Sequence, residues 1–389
     1  ELNVELEVFI NENKTSLVQD DDMLGGRPIR NIDYTTNMRG FMAELMAKAM
    51  NSDELNAPFT ESEAETLLNM IRSFGDLNEK DLYSGSYRAG YAEGGVLKHG
   101  VQKDMIAFRD LLRSRLGRQM MGANEGDTGP ILMQPVGGMD KIISGFLNNV
   151  GEQVKYRAMV TSVQVTDKGV NVAYDQDGVR HSLEVDYCFN CIPTHLMVGI
   201  DHNFPSDYVK AMKYVRRGEA YKAAFQAKRR FWEDLDIYGG ISWSNTKSRQ
   251  LWYPTHGIHK AKGIVLSAYD YGGGMYHTMM SQDERIEAHL ADHEKIHPDF
   301  RELVEKPVTI GWHRMNHMLG CSARWSRNLG RGWTDEEETL YHTLQAPVNG
   351  RHYFIGDQIS MHSAWQESAV MSAKWALSHM DAHVRAELA

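Results

Sequence analysis

The most suggestive juxtaposition in the sequence is a carboxylate beside a glycine, at the end of an apolar run and ahead of a helix. It reads Tyr353-Phe354-Ile355-Gly356-Asp357, with a helix expected over residues 365–383. Glycine lets a ligand approach the backbone closely, and the free N–H groups of a first helical turn suit an anionic or polar group. Asp357 is an acceptor where such N–H groups or ligand hydroxyls need one; spacing alone would equally fit an ordinary strand–turn–helix. Lys222 is a lone cation in an apolar strand that runs on into Phe231-Trp232. It is costly to bury without a partner, so its default place is an exposed face. His293-Glu294-Lys295-Ile296-His297 fits H-E-x-x-H, which on a helix offers two imidazoles and a base to zinc. Cys188-Phe189-Asn190-Cys191 has the spacing of half a zinc site or of a redox pair.

The last two signals weaken in context. The histidine segment lies in a crowd of His289, Glu287, Asp292 and Glu294, with Pro298 directly after it and no third ligand at the usual distance. A solvated helix face is expected there; a zinc hydrolase is the alternative from another class, and no metal site is assigned. No second C-x-x-C exists, so Cys188 and Cys191 are expected to be buried structural cysteines. Three cysteines in 389 residues do not identify a compartment. The formal net charge of -10 argues against a broad polyanion surface, so no nucleic-acid partner is expected. No window nears the roughly 20 apolar residues of a membrane span, which points to a soluble protein, cytoplasmic or secreted.

Several elements must position these residues. A short strand is expected within residues 1–12, then a polar turn at Gly25-Gly26-Arg27-Pro28. Apolar residues recurring at three and four positions predict helices over 38–50, 62–74 and 103–116. Composition shifts at Gly129-Pro130, and Gln134-Pro135-Val136-Gly137-Gly138-Met139-Asp140 leads into a helix ending near Val150. Alternation predicts strands over 154–165, 170–174 and 181–190, with hairpin turns at Asp167-Lys168-Gly169 and Gln176-Asp177-Gly178. Further strands are read over 221–227, 250–253, 263–269 and 307–312, with a charged helix over 281–297. Gly272-Gly273-Gly274 is a loop after a strand.

These stretches together resemble the flavin-containing amine oxidase family, in its L-amino-acid oxidase branch. The family's C-terminal motif, roughly F-x-G-E, a short turn, then G-W-x-x-S/G-A, is matched by Phe354-Ile355-Gly356-Asp357 and Ala364-Trp365-Gln366-Glu367-Ser368-Ala369. The resemblance implies FAD as cofactor. It places Gly356 and Asp357 by the ribityl and pyrophosphate, Gln366 and Ser368 beside them at the helix start, and Trp365 as a wall of the substrate cage next to Ala364. Asp357 stands where the family usually has Glu, and Ala364 where it usually has Gly. The first keeps the charge on a shorter arm, and the second narrows the site. Residues 135–140 match the family's P-x-G-G-M-D turn. Val160 falls on the strand whose backbone holds the adenine, and can equally be strand core. Lys222 falls on the lysine that holds a water near flavin N5. Tyr269 would donate its hydroxyl to the substrate carboxylate, or be a half-buried strand tyrosine. Trp312 would pack on the isoalloxazine, with His317 lining the pocket.

The implied fold is α+β or α/β: an FAD-binding Rossmann-like domain without its N-terminal portion, a mixed-sheet substrate domain and a helical subdomain. The expected partition is 1–32 substrate-domain strand and turn, 33–128 helical subdomain, and 129–200 FAD-binding part with a β-meander. Substrate-binding residues 201–325 and a C-terminal FAD-binding strand and helix over 326–389 complete it. The implied reaction takes an L-amino acid and dioxygen to a 2-oxo acid, ammonia and hydrogen peroxide. A related flavin monooxygenase, yielding an amide and carbon dioxide, is the alternative. The G-x-G-x-x-G fingerprint and the family's carboxylate-binding Arg are not in the sequence. An upstream portion of about a hundred residues is therefore expected to complete the nucleotide fold, and a homo-oligomer, in the simplest case a homodimer, is expected.

Overall fold

The computed structural model describes residues 2–50, 59–95, 97–122, 131–271, 274–325 and 333–388. The Gly129-Pro130 boundary and the Gly272-Gly273 part of the glycine loop lie outside the described residues. The chain forms two compact units, each assembled from three segments: residues 1–145, 222–269 and 281–309 in the first, residues 146–221, 270–280 and 310–389 in the second.

The first unit is built on a seven-stranded sheet. Its order is Val304–Gly311, Ala220–Ala227, Gly263–Tyr271, Gln250–Trp252, Ile241–Ser244, Leu17–Gln19, Ile29–Arg30. In Ala220–Ala227 the side chains alternate between faces. Ala223, Phe225 and Ala227 are buried while Lys222, Ala224 and Gln226 are half-buried. Phe225 enters a core with Phe231, Trp232, Leu251, Tyr253 and Phe300; each such ring contributes about 2 to 3 kcal/mol by leaving water. The helix Gln282–Glu294 opens on a capping box between Ser281 and Glu284. Two further helices, Asn31–Met50 and Glu61–Gly75, pack through Ala43, Ala47 and Ile71.

The second unit carries a four-stranded sheet in the order Asp201–His202, Ala158–Val165, Val170–Gln176, Val179–Val185. The turn between its last two strands places Asp177 at φ 51° and Gly178 at φ 81°, the left-handed pair that joins twisted strands closely. Two smaller pairings matter more for function. Cys188–Asn190 runs parallel to His352–Phe354, and Arg216–Arg217 runs antiparallel to Ala323–Arg324. The core of this unit includes Val163, Met197, Tyr208, Trp325, Phe354 and Ile359, and Gln366–Leu388 is its terminal helix.

Two expectations need correction. The helix read over 103–116 is only Phe108–Arg113, followed by the short helix Gly117–Met121. Side chains claim the backbone on either side: Ile106 N–H donates to Asn37 and Arg115 N–H to Asp20, so the ladder cannot extend. The strand read over 181–190 is two strands in different sheets. Val179–Val185 belongs to the meander, whereas Cys188 donates its N–H to Arg351 and continues in register with His352.

Candidate functional site

The chain leaves His352–Phe354 through Ile355, whose N–H donates to the Asn190 carbonyl at 3.0 Å. Gly356 follows at φ 100° and donates its N–H to Ser372 Oγ at 2.8 Å. That backbone angle strains any L side chain, and the space where a Cβ would stand has no atom within 4 Å. Asp357 accepts from the Arg217 guanidinium at 3.2 Å through Oδ1 and from the Ala323 N–H at 2.9 Å through Oδ2. Gln358 Oε1 accepts from Arg217 and from Thr194 N–H, both at 3.0 Å. Its amide donates to the carbonyls of Ile192 and Ile355. One arginine, with its side chain 9 % exposed, thus fixes two successive residues of the turn. Burial and the positive Arg217 hold the neighbouring His195 imidazole below its usual range.

Arg217, Gln358 and Thr194 were not singled out in the sequence. Nothing in composition links Arg217 to a carboxylate 140 positions away. Two buried polar atoms of this cluster, Arg217 Nε and Thr194 Oγ1, have no hydrogen-bond partner among the described residues. Together with the open space at Gly356 they leave unused polar capacity beside the turn. Arg217→Met is expected to weaken flavin retention by about tenfold or more, because it leaves the Asp357 carboxylate with only one donor. Arg217→Lys should recover part of the loss; flavin fluorescence on dilution measures both.

The remaining candidates of this unit lie around the start of the terminal helix and on the meander. Ala364 has φ 73°, the left-handed region that glycine occupies freely. Ala364→Gly is therefore expected to raise stability by about 1 kcal/mol, less the entropy glycine adds to the unfolded chain; a denaturant midpoint reads the net sign. Trp365, 41 % exposed, stacks on the His362 ring at 5.8 Å. Gln366 is the exposed first residue of the helix, and buried Ser368 hydrogen-bonds the His362 carbonyl. Val160 is half-buried on Ala158–Val165 at a register shift and packs on the same core as Phe354 and Ile359. Trp312 begins a short 3-10 turn, half-buried, and His317 is exposed at φ 68°.

Lys222 and Tyr269 lie in the first unit on neighbouring strands. The Lys222 ammonium stands 4.2 Å from the centroid of the Tyr269 ring, a cation–π contact that gives a half-buried lysine a partner. The Tyr269 ring meets Trp252 edge-on at 5.8 Å.

The histidine motif is not a solvated face, which corrects that expectation. His289 and His293 are buried on Gln282–Glu294, and His297 is buried just beyond it. His293 Nε2 lies 2.8 Å from Ser267 Oγ, and His297 Nε2 lies 2.7 Å from the Tyr253 hydroxyl. Glu294 pairs instead with Arg301. The imidazoles therefore serve separate protein partners, and no group that could hold a metal ion occurs among the described residues. The cysteine expectation fails in part. Cys191 is exposed and Cys188 half-buried, both free, and burial pushes the Cys188 thiol up to about 11.

Comparison with known proteins places the chain in a family. Residues 31–376 match the flavin containing amine oxidoreductases, and the chain belongs to that family, whose cofactor is FAD. Among relatives, it is 26 % identical to the flavin-dependent L-tryptophan oxidase of Lentzea aerocolonigenes, over 66 % of this chain and 54 % of that protein. It is 24 % identical to an L-amino-acid oxidase of Echis ocellatus, over 61 % of this chain and 47 % of that one. The chain spans about half the length of these curated relatives. The fold is that of putrescine oxidase, solved with putrescine bound, at a TM-score of 0.60 and 15 % identity over 98 % of this chain and 84 % of that one. Cyclohexylamine oxidase of Brevibacterium oxydans has the same fold at a TM-score of 0.58 and 12 % identity, over 98 % and 83 %. No helix among the described residues is long and apolar enough to cross a membrane.

Proposed function

We propose that this chain forms the substrate-binding and C-terminal cofactor-binding parts of an FAD-dependent oxidase acting on L-amino acids. The observation that carries the reading is the Lys222–Tyr269 pair: an ammonium 4.2 Å over a tyrosine ring on neighbouring strands, in a family that oxidises carbon–nitrogen bonds. The two curated relatives named above, an L-tryptophan oxidase and an L-amino-acid oxidase, support an amino acid over a simple amine. FAD, when bound, supplies the two-electron acceptor for the substrate Cα–H bond. The protein's own groups bind, orient and shield. In this reading the Tyr269 hydroxyl donates to the substrate carboxylate, and Lys222 holds a water or dioxygen where electrons leave the site. Trp365, next to Ala364, walls the substrate side with His317 and Trp312, while Val160, Gly356, Asp357, Gln366 and Ser368 hold the cofactor.

The products follow as a 2-oxo acid, ammonia and hydrogen peroxide. The test is product analysis of the FAD-loaded protein with L-leucine and L-tryptophan under oxygen. Peroxide and 2-oxo acid in equal amounts are expected; an amide with carbon dioxide would assign a monooxygenase instead, and turnover of putrescine but of no amino acid would sink the reading. Tyr269→Phe keeps the ring under Lys222 and removes only the hydroxyl. It is expected to raise KM for the amino acid by about tenfold while leaving the reaction with dioxygen unchanged, as steady-state kinetics at varied substrate and oxygen would show.

A further inference from the structure

The first unit carries a half-open cavity of about 430 Å³ that the proposed chemistry does not use. Four stretches line it: residues 11–14, one face of Asn31–Met50, the end of Gly117–Met121 with Gly122, and the strand Ile241–Ser244. Asn31, Thr35 and Arg39 recur every four residues and so stand on one helix face. That stripe is polar, half-buried at Asn31 and Thr35 and exposed at Arg39. Most of its neighbours are polar too, and few are satisfied by the protein. Asn11 is only 9 % exposed, yet its amide has no hydrogen bond among the described residues. Lys14, Glu12 and Gln119 likewise have no side-chain partner there, and Arg39 has only the Phe74 ring, 5.2 Å away. The unpaired Asn11 amide is therefore free to meet a ligand, and the exposed cations Lys14 and Arg39 at the mouth attract an anion.

The opposite wall is apolar. Ile241 and Trp243 are two apart on one strand and share a face, and Met120 and Met121 complete the surface. Two cations, one carboxylate, free amides and an apolar wall complement a zwitterion with an apolar side chain. The cavity volume falls within the ordinary range of small-molecule pockets. We infer that this cavity binds a free α-amino acid as a second site. Its carboxylate would meet Lys14 and Arg39, its ammonium Glu12 and Asn11, and its side chain Trp243 and the two methionines. Neither Lys222 nor Tyr269 lines it. Strand Gln250–Trp252 separates Ile241–Ser244 from the strand of Tyr269, a displacement of about 10 Å across the sheet.

The identity of the ligand rests on the amino-acid reading above, and the experiment keeps the two apart. Equilibrium dialysis of labelled L-leucine against the full FAD-loaded chain, without oxygen, counts binding sites; oxygen uptake measures turnover separately. Two sites are expected, one of them weakened at least tenfold in Lys14→Gln/Arg39→Gln while turnover at low leucine stays as in the parent. Glu12→Gln, a single change at an exposed position, should weaken leucine there but not 4-methylpentanoate, which lacks the ammonium. One site untouched by all three substitutions overturns the inference and leaves the oxidase reading standing. Inorganic phosphate competing as well as leucine also overturns it, reducing the cavity to an anion site. Binding that depends on Lys14, Arg39 and Glu12 in a protein without amino-acid turnover upholds the site and overturns the oxidase reading.

Discussion

Replacing Lys222 with Met is expected to slow the oxygen half-reaction by about 100-fold while leaving reduction of the cofactor by substrate near the parent rate. Met keeps the length and apolar volume of the side chain and removes only the ammonium that stands over Tyr269. Negative charge develops as dioxygen accepts electrons, and a fixed positive group beside it stabilises that charge without reorganisation. Losing one such group typically costs two to three orders of magnitude, about 3 to 4 kcal/mol. The cation–π contact contributes a further 1 kcal/mol or so to holding the strands in place, too little to confuse with the kinetic effect. Stopped-flow mixing of reduced protein with dioxygen, and of oxidised protein with substrate, measures the two halves. Equal slowing of both would make Lys222 a structural residue, and no slowing of either would remove it from the site.

A second large effect is expected from pH. Burial pushes the His293 imidazole down to about 4 and that of His297, further lowered by His293, to about 3. In the second unit burial alone carries His352 to about 3. Each folded value lies below the unfolded one near 6.5, so between the two values the unfolded chain binds more protons. The stability these neutral rings contribute is complete above pH 6.5. It falls as the pH drops toward 4 and 3, and below that it levels off. One ring accounts for at most about 3 to 5 kcal/mol, so the three together exceed half the stability of an ordinary domain. Denaturant midpoints should therefore hold from pH 8 to 6.5 and decline steeply from 6 to 4. His293→Gln keeps a donor for the Ser267 carbonyl and cannot titrate; it is expected to flatten that decline by about a third. A midpoint as steep in the variant as in the parent would place the acid response elsewhere.

Those histidines also show where reading the sequence stopped. The segment after Ser281 was legible as a helix, because its charged run and the Pro298 that stops it are local. Its orientation was not, because Glu287, Asp292 and Glu294 made every face look hydrated. The buried face is lined by His289 and His293, and the groups that satisfy them, Ser248 in a turn and Ser267 on a strand, lie 41 and 26 positions away. The strand Ala220–Ala227 was legible for the converse reason, since alternation is a property of adjacent residues. At the candidate site, Gly356 and Asp357 stood out by residue type and resemblance. Arg217, which fixes Asp357, belongs to a two-residue strand whose partner, Ala323–Arg324, is over a hundred positions away. The split after Val185 followed from Cys188 finding His352, a choice no local pattern could announce.

The interleaving of the two units also governs the order in which the protein can mature. Leu17–Gln19 waits for Ile241–Ser244, its parallel neighbour, and the sheet they share closes only when Val304–Gly311 has been synthesised. The second unit waits longer, since Cys188–Asn190 pairs with His352–Phe354. At ribosomal rates of about 5 to 20 residues per second, the edge of Leu17–Gln19 turned away from Ile29–Arg30 stays unpaired for roughly ten seconds or more. During that time the edge of Leu17–Gln19 and the apolar residues behind it are open to wrong partners. Assembly is thus nearly all-or-none along the length of the chain, and a chaperone that shelters the N-terminal stretch until the last segment emerges would raise the yield of folded protein more than any single stabilising substitution.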